Sequence, residues 1–264
     1  GEVTDKKVQE GEAIRIMTGA MIPEGADCVV KQEDTDYGEE DVKIYLSLDK
    51  HINCCPIGED FHRGDCLGQK GERIDAYMMV SMASGGIDKV SVWRKIRVAI
   101  ITTGEELMMP GQPLLPGKIY NSNLAYLTGR LMQLGCDITE GCFVGDDTEA
   151  IVSAVRRSAA QADVILTTGG VSVGVKDLLP EVIEKLGADL LFHGIDLKPG
   201  MPTMASLYNG KTIISLSGNP FSASAVFELL MQPLIRKMTG SSHPVMVRKE
   251  AVLAHDYPGN IGSR

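Results

Sequence analysis

The sequence predicts an α/β protein built on a doubly wound, mostly parallel sheet. In residues 97–216, short apolar runs alternate with amphipathic helical patterns. Runs that are apolar throughout are typical of strands in a parallel sheet, because helices cover both of its faces. Each run also ends at a loop rich in glycine, proline or acidic residues. Open sheets of this kind bind ligands beyond the carboxyl ends of their strands, so a binding site is expected there.

Strands and helices follow one another in order after Trp93. The predicted strands are RVAIIT (97–102), ITEGCFV (138–144), DVILTT (163–168), ADLLF (188–192) and KTIISL (211–216). The predicted helices lie at 124–134, 148–161, 177–187 and 222–238. In the first of them, Leu124, Leu127 and Leu131 recur at helical spacing. The last helix is expected to kink at Pro233, which has no backbone N–H to donate.

The residues before Trp93 predict smaller, β-rich modules. Val29-Val30 and the run 42–46 are predicted strands, and frequent glycines between 58 and 71 indicate close turns. Asp75 then caps a short helix that ends at Gly85-Gly86. The apolar face of this helix consists of Ala76, Met79, Val80 and Ala83.

These changes of pattern divide the chain into four predicted parts. After Pro244, the segment VMVRKEAVLAHD is predicted to begin another module. The parts are a partial β-rich domain (1–64), a partial linker or helical module (65–94), an α/β domain (95–243) and the start of a C-terminal β domain (244–264).

Composition excludes several classes of partner. The net charge is −9 at pH 7, so no long-range positive field attracts nucleic acid or an anionic membrane. No apolar run approaches the roughly 20 residues of a membrane helix, and no signal peptide opens the chain. The six cysteines form no CxxC pair, which favours reduced thiols in a cytoplasmic protein. The histidines form no metal-binding pattern. GVSVG (170–174) has the spacing GxSxG but lacks the context of a nucleophile elbow, which disfavours a serine nucleophile.

The loop TTGGVSVGVKD (167–177) is the strongest indication of a binding site. It is neither a Walker loop nor GxGxxG, because its glycines fall at 169, 170 and 174. Glycine-rich backbone at the start of a helix exposes several amide donors, which suits a phosphate. Asp177 has two possible roles, as the helix cap or as a ligand-binding carboxylate.

Two further loops and an aspartate pair follow other predicted strands. Glu105 and Glu106 in TGEEL are either solvated acids or site residues. In SGNP (217–220), proline suits the first helical turn and the asparagine suits a cap or a polar contact to a ligand. Asp146 with a glutamate three residues later resembles a capping box, so one residue of the Asp146-Asp147 pair is expected to cap and the other to be free. Acids beside glycine loops suit a hard cation such as Mg²⁺. His193 lies near a strand end, where a structural role is favoured over a role in the site.

These motifs resemble the molybdopterin molybdotransferase family, of the MoeA and gephyrin E-domain type. The resemblance extends over nearly the whole chain. It rests on RIMTGAMIPEGADCVVKQED (15–34), GED (58–60), RVAIITTGEEL (97–107), PGQPLLPGKIYNSN (110–123), GDD (145–147), TTGGVSVGVKD, LKPGMP (197–202) and SGNPFSA (217–223). The Asp-Gly-Tyr/Phe motif with which the family usually opens does not occur, and Ser217 stands where the family often has proline. The family's N-terminal segment and most of its C-terminal domain are therefore expected to be missing.

The resemblance implies an elongated, multidomain subunit, usually in a dimer with its active site in a cleft between subunits. It implies insertion of molybdate into the dithiolene of adenylylated molybdopterin, with Mg²⁺ and release of AMP. The implied catalytic residues are Thr18, Asp60, Glu106, Asp146 and Asp177. Three of them, Glu106, Asp146 and Asp177, are also the expected metal ligands. The expected substrate-binding residues are Gly169, Gly170, Ser172, Gly174, Lys198, Ser217, Gly218, Asn219 and Pro220, with Arg15 as a further positive group.

Two other functions remain open at this point. One is a molybdopterin-binding or scaffolding protein of the same fold without turnover, as in the gephyrin branch. The other is a nucleotide pyrophosphatase that shares only the GGVSVG domain. The motifs RIMTGA and GED in the first part of the chain argue against the pyrophosphatase.

Overall fold

A computed structural model of the chain describes residues 3–171, 178–252 and 254–256. The chain forms two compact units, Gly1–Leu67 and Gly68–Arg264. None of the helices in the described ranges is long and apolar enough to cross a lipid bilayer.

The second unit contains a six-stranded sheet. Its strands and a short parallel pair are β1 (Arg97–Thr103), β2 (Leu107–Met108), β3 (Ile119–Tyr120), β4 (Asp137–Val144), β5 (Val164–Thr168), β6 (Asp189–His193), β7 (Met204–Tyr208) and β8 (Lys211–Leu216). The order in the main sheet is β4-β1-β5-β8-β7-β6, with β4, β1, β5 and β8 parallel. The predicted α/β fold with a mostly parallel sheet is confirmed.

Strand β7 is not among the predicted strands. It runs antiparallel to both β8 and β6. The turn into β8 consists of Asn209 and Gly210, which have φ values of 50° and 72°. An Asn-Gly pair is a strong hairpin signal, because both residues adopt positive φ at little cost. This signal in the sequence was sufficient to predict the hairpin.

The described residues of the second unit form six α-helices. They are α1 (Ala76–Ser84), α2 (Ser122–Gln133), α3 (Thr148–Ala159), α4 (Leu179–Leu186), α5 (Pro220–Val226) and α6 (Gln232–Met238). A π-helical turn, Phe227–Met231, separates α5 from α6, so the predicted continuous helix over 222–238 is interrupted. The Gln232 N–H donates to the Phe227 carbonyl, five residues back. Pro233 follows directly and has no N–H to continue the α-helical ladder.

Two apolar clusters cover the two faces of the sheet. On one face, Leu127 and Leu131 of α2 pack with Phe227 and Met231 of the π-turn. On the other face, α3 and α4 contribute a second cluster, including Ile151 and Val182. Alternate residues of β1 enter different clusters, because successive side chains of a strand point to opposite faces. Helices on both faces make the sheet doubly wound, as the sequence predicts.

The first unit contains no regular strand among its described residues. A single antiparallel bridge joins Thr35 to Ile44, and a short 3-10 turn spans Gln32–Asp34. The predicted strands at Val29-Val30 and 42–46 are therefore wrong. Pro23 is the one buried residue in the described range 3–67. Short apolar runs pair into strands when a common face is buried, and these segments have no such face to share.

The short helix α1 begins and ends where the sequence predicts. The Asp75 carboxylate accepts a hydrogen bond from the Met78 N–H at 2.9 Å, and Gly85 ends the helix. Its predicted apolar face is exposed, since Met79 and Val80 keep 61% and 65% of their surface accessible.

Candidate functional site

Strand register brings five loops to one edge of the main sheet. Thr103 pairs with Val144 at the ends of β1 and β4, and Thr168 pairs with Leu216 at the ends of β5 and β8. The loops after these four strands therefore start at the same level. Met204 at the start of β7 pairs with residues near the ends of β6 and β8, which places the loop 194–203 at this edge too.

The glycine turns after β5 and β8 make backbone contact at this edge. A Cβ atom on Gly169 would lie 2.5 Å from the carbonyl oxygen of Thr103, and Gly169 has a φ of 93°. A Cβ atom on Gly218 would lie 3.5 Å from the Cα atom of Gly169. The backbones after β1 and β5 thus approach to a distance at which a side chain on Gly169 is excluded, and Gly218 lies in ordinary van der Waals contact with Gly169. Such a surface presents peptide groups directly to a ligand.

The acidic residues after β1 and β4 are also joined. The Glu105 N–H donates to Oδ2 of Asp146 at 3.3 Å, and Nζ of Lys118 donates to the Glu105 carbonyl at 2.7 Å. The Glu106 carboxylate folds over Gly104, where a Cβ atom would lie 2.6 Å from Oε1. Glu106 and Asp146, both exposed, thus belong to one loop cluster.

Asp147 is the helix cap of the aspartate pair. Its carboxylate accepts a hydrogen bond from the Ala150 N–H at 2.7 Å, at the start of α3. The interpretation of Asp146 as the first residue of a capping box is therefore wrong. The expectation that one aspartate of the pair caps the helix is confirmed.

The predicted metal-binding set is described only in part. Glu106 and Asp146 lie in the described residues, whereas Asp177 lies outside them, as do Ser172 and Gly174. Within residues 3–171, 178–252 and 254–256, no group of three His, Cys, Asp or Glu side chains is placed to hold a metal ion. The two described carboxylates supply oxygen donors, which Mg²⁺ prefers.

The SGNP loop begins α5 by capping it. Oδ1 of Asn219 accepts hydrogen bonds from the Phe221 and Ser222 N–H groups at 3.0 and 3.2 Å. The Asn219 N–H in turn donates to Oγ of Ser217 at 3.3 Å, and Pro220 is the first residue of the helix. The predicted cap and the predicted position of the proline are confirmed. A contact of this loop with substrate stays a prediction.

Two asparagines at the start of α2, the cap Asn121 and Asn123 in the first turn, are site-edge residues that sequence reasoning missed. Nδ2 of Asn123 donates to the Gly218 carbonyl at 2.8 Å, and Nδ2 of Asn121 donates to Oγ1 of Thr102 at 2.7 Å. Both side chains are buried, at 6% and 1% exposure. Asparagine at the start of an apolar helix is a recognisable cap signal, which predicts the role of Asn121. Nothing comparable in the sequence predicts the contact of Asn123.

The remaining predicted positively charged and polar residues are exposed. Lys198 lies in the loop 194–203 and precedes a cis peptide bond to Pro199. Arg15, Thr18 and Asp60 are exposed residues of the first unit.

His193 has a structural partner, in agreement with the sequence prediction. Its Nε2 lies 3.1 Å from the carbonyl oxygen of Val171. A carbonyl oxygen accepts only, so this ring nitrogen carries the proton. The contact ties the end of β6 to the beginning of the glycine loop.

A cysteine nucleophile is disfavoured at this edge. Burial raises the pKa of the Cys142 thiol, on β4, to about 11, with the neighbouring Glu140 adding to the effect. The thiol is therefore protonated at neutral pH, and the thiolate is the reactive form of cysteine. Among the described residues, the acidic and glycine loops present carboxylates and peptide groups at this edge.

Comparison with protein families identifies the domain that contains this edge of the sheet. Residues 99–237 match the family described as "Probable molybdopterin binding domain". The chain belongs to this family. Residues 1–86 match the "MoeA N-terminal region (domain I and II)" ahead of the molybdopterin-binding domain. The resemblance that the sequence motifs indicate is thereby confirmed.

Individual relatives agree with this membership. A molybdopterin molybdenumtransferase of Bacillus subtilis (strain 168) is 38% identical over 262 residues, and one of Staphylococcus epidermidis (strain ATCC 12228) is 37% identical over 260 residues. The crystal structure of a molybdopterin biosynthesis MoeA protein from Pyrococcus horikoshii superposes with a TM-score of 0.72 at 34% identity.

The chain is similar to part of each of these relatives. The alignments cover 98% and 97% of this chain and 61% of each transferase. For the MoeA crystal structure, they cover 91% of this chain and 60% of that chain. The chain therefore spans about three fifths of the length of these relatives.

Proposed function

We propose that this chain acts in molybdenum cofactor biosynthesis as a molybdopterin molybdotransferase. The reaction is Mg²⁺-dependent insertion of molybdate into the dithiolene of adenylylated molybdopterin, with release of AMP. Molybdate and adenylylated molybdopterin are its substrates. Membership of the molybdopterin-binding family and similarity to named molybdenumtransferases support this assignment.

The observation that carries the proposal is the close approach of the glycine turns after β5 and β8. Gly169 has no room for a side chain against the Thr103 backbone, and Gly218 lies in van der Waals contact with Gly169. Peptide N–H groups in such turns bind phosphate oxygens without an intervening side chain. Gly169, Gly170, Ser172 and Gly174 would bind the phosphate region of the substrate, and Ser217, Gly218, Asn219 and Pro220 would border it.

Three carboxylates would hold the cation. Glu106 and Asp146 already share one loop cluster through the Glu105 N–H, and Asp177 follows the glycine loop in sequence. When bound, Mg²⁺ supplies neutralisation of negative charge at the phosphoanhydride. Lys198 and Arg15 would supply the local positive charge that molybdate and pyrophosphate need in an acidic chain.

The functional unit is a homodimer in the cytoplasm. Thr18 and Asp60 would enter the cleft from the partner subunit, so the complete site requires two copies. Loss of Thr18 in one subunit and of Asp177 in the other would then leave one intact site in a mixed dimer. Recovery of activity on mixing Thr18→Ala and Asp177→Ala chains tests this arrangement, and no recovery would contradict it.

AMP release from adenylylated molybdopterin tests the activity, measured with Mg²⁺ and with or without molybdate. Release that requires molybdate is the expected result. Glu106→Gln should abolish it, whereas Glu105→Gln should retain it, because the backbone of Glu105 and not its carboxylate contacts Asp146. Release without molybdate would identify a pyrophosphatase instead. Substrate binding without release in either condition would identify a binding or scaffolding protein.

A further inference from the structure

Asn123 links helix α2 to the loop after β8. It lies in the first turn of α2, and its side chain is 94% buried, since 6% of its surface remains accessible. Its Nδ2 donates to the carbonyl oxygen of Gly218 at 2.8 Å. The orientation of the amide is determined by this contact, because the alternative would place two acceptor oxygens against each other.

The other half of the same amide makes no such bond. Oδ1 of Asn123 is buried and has no hydrogen-bond partner within the part of the chain that the structure describes. A buried amide oxygen without a partner lowers stability, and the hydrogen bond from Nδ2 offsets part of that cost. The one hydrogen bond that this side chain makes thus acts on the loop after β8 and not on its own helix.

Asn121, two residues earlier, differs from Asn123 because both ends of its side-chain amide have hydrogen-bond partners. Its Oδ1 accepts from the Leu124 N–H at 3.2 Å, and its Nδ2 donates to Oγ1 of Thr102 at 2.7 Å. Oγ1 of Thr102 donates in turn to the Cys142 carbonyl on β4. This chain of hydrogen bonds attaches the start of α2 to β1 and β4, so Asn123 projects from a rigid base.

We propose that Asn123 is a positioning residue that sets the SGNP loop for substrate binding. Its Nδ2 holds the Gly218 carbonyl, and Gly218 lies against Gly169 of the glycine turn. Because α2 is attached to β1 and β4, Asn123 holds the SGNP loop at a fixed place relative to these strands. The contact between the two glycine turns is held with it. The part of this inference that concerns substrate rests on the function proposed above.

Asn123→Leu tests the inference, because leucine is of similar size and lacks the donor. The expected melting temperature changes little, because removal of the unpaired oxygen offsets loss of one hydrogen bond to an exposed residue. Amide hydrogen exchange of a peptide covering residues 217–223 should accelerate about tenfold, because the N–H groups of residues 221–223 donate to Asn219 in the loop that Asn123 holds. The KM for adenylylated molybdopterin should rise by about the same factor while kcat changes less.

Two companion variants separate positioning from general damage. Asn123→Asp keeps the size of the side chain and replaces the donor by an acceptor, so the loop should also exchange faster. Asn121→Ser keeps a cap oxygen for α2 but loses the donor to Thr102, so exchange of residues 217–223 should rise less than in Asn123→Leu.

Unchanged exchange of this loop in both Asn123→Leu and Asn123→Asp would overturn the positioning role, whatever the activity of the chain. Faster exchange with an unchanged KM would overturn its link to substrate. Absence of turnover in the unaltered chain would count against the proposed function, and the exchange measurement would still decide the role of Asn123.

Discussion

At the scale of single residues, Asp163 shows how the second unit stabilises a buried charge. Its carboxylate accepts hydrogen bonds from Arg94 at 2.6 and 3.0 Å and from the backbone and guanidinium of Arg97. Lys211 lies 3.8 Å away. These donors, Arg94 first and then Arg97, hold the pKa of Asp163 well below its usual range despite burial. The cluster lies at the amino ends of β1, β5 and β8, opposite the candidate site.

Asp163→Asn should lower the free energy of unfolding by about 2 kcal/mol at pH 7, because charge-assisted hydrogen bonds are lost. The folded-state pKa of Asp163 lies below its ordinary value of 3.8. Its contribution is therefore complete above about pH 5 and is lost as the pH falls through 3.8 and below. In urea unfolding, the difference in unfolding free energy between the variant and the unaltered chain should be smaller at pH 3 than at pH 7.

The exposed pair of Lys95 and Asp137, 3.5 Å apart, provides the control for this experiment. Asp137→Asn should change stability by less than about 0.5 kcal/mol, because exposed ion pairs contribute little. An equal loss of unfolding free energy in both variants would show that the buried Asp163 cluster stabilises the fold no more than an exposed ion pair does.

Adjacent glycines of the turn after β5 should differ in their tolerance of alanine. At Gly169 a methyl group meets the Thr103 backbone at 2.5 Å, and the φ of 93° adds strain. At Gly170 the nearest atom is 3.6 Å away, so the φ of 60° is the main cost. Gly169→Ala should lower the free energy of unfolding by about 3 kcal/mol and Gly170→Ala by about 1 kcal/mol. Urea titrations of the two variants check this, and equal losses would contradict the close approach at Gly169.

At the scale of elements, α2 and the π-turn are joined by one carboxylate. Glu228 accepts from the Tyr126 hydroxyl at 3.0 Å and from two guanidinium nitrogens of Arg130 at 2.6 and 2.7 Å. The ring of Tyr126 also packs edge-on against Phe227, with the ring centroids 6.0 Å apart. Arg130 is the main cause of the lowered pKa of Glu228. Glu228 lies in the π-helical turn, where the helix contains one more residue per turn than an α-helix. The ion pair between Glu228 and Arg130 thus connects this turn to α2 on one face of the sheet.

Tyr126→Phe should cost about 1 kcal/mol of unfolding free energy, because the aromatic contact stays and one hydrogen bond is lost. Glu228→Gln should cost about 1–2 kcal/mol, since the charge is removed from a partly buried pair. The double variant should cost less than the sum, because both changes act on the same hydrogen bond. A double-mutant cycle from urea unfolding measures this coupling. Strict additivity would mean that the Tyr126 hydroxyl and Glu228 do not interact in solution.

At the scale of the whole molecule, burial differs greatly between the two units. Within described residues, the second unit contains both apolar clusters of the sheet, whereas residues 3–67 bury only Pro23. Segments with few buried side chains open at low free energy, because little apolar surface is exposed when they do.

Limited trypsin digestion should therefore cut the first unit before the second. Lys31, Lys43 and Lys50 are exposed sites of the first unit. A fragment that retains residues 97–238 should accumulate, and mass spectrometry identifies its ends. Cleavage within β1, β5 or β8 at the same rate as at these lysines would show that the second unit is no better protected from trypsin than the first.

Local pattern was sufficient for much of the fold. The apolar runs of β1, β4, β5, β6 and β8 and the caps at Asp75 and Asn219 are encoded within a few neighbouring residues, and each is found near its predicted position. The strands expected in the first unit failed because a strand depends on a distant partner and a shared buried face, neither of which a short run contains. Strand β7 was missed although its Asn-Gly turn is a local signal.

The sequence by itself determined the α/β class, the family resemblance and the residue types of the candidate site, because these depend on composition and order along the chain. Only the tertiary structure decided that Asp147 caps α3 while Asp146 meets the Glu105 N–H, and that Asn123 holds the Gly218 carbonyl. Asn123 and Gly218 are 95 residues apart in sequence. Their contact depends on strand order and register, which bring distant loops to one edge of the sheet, and no local pattern specifies that meeting.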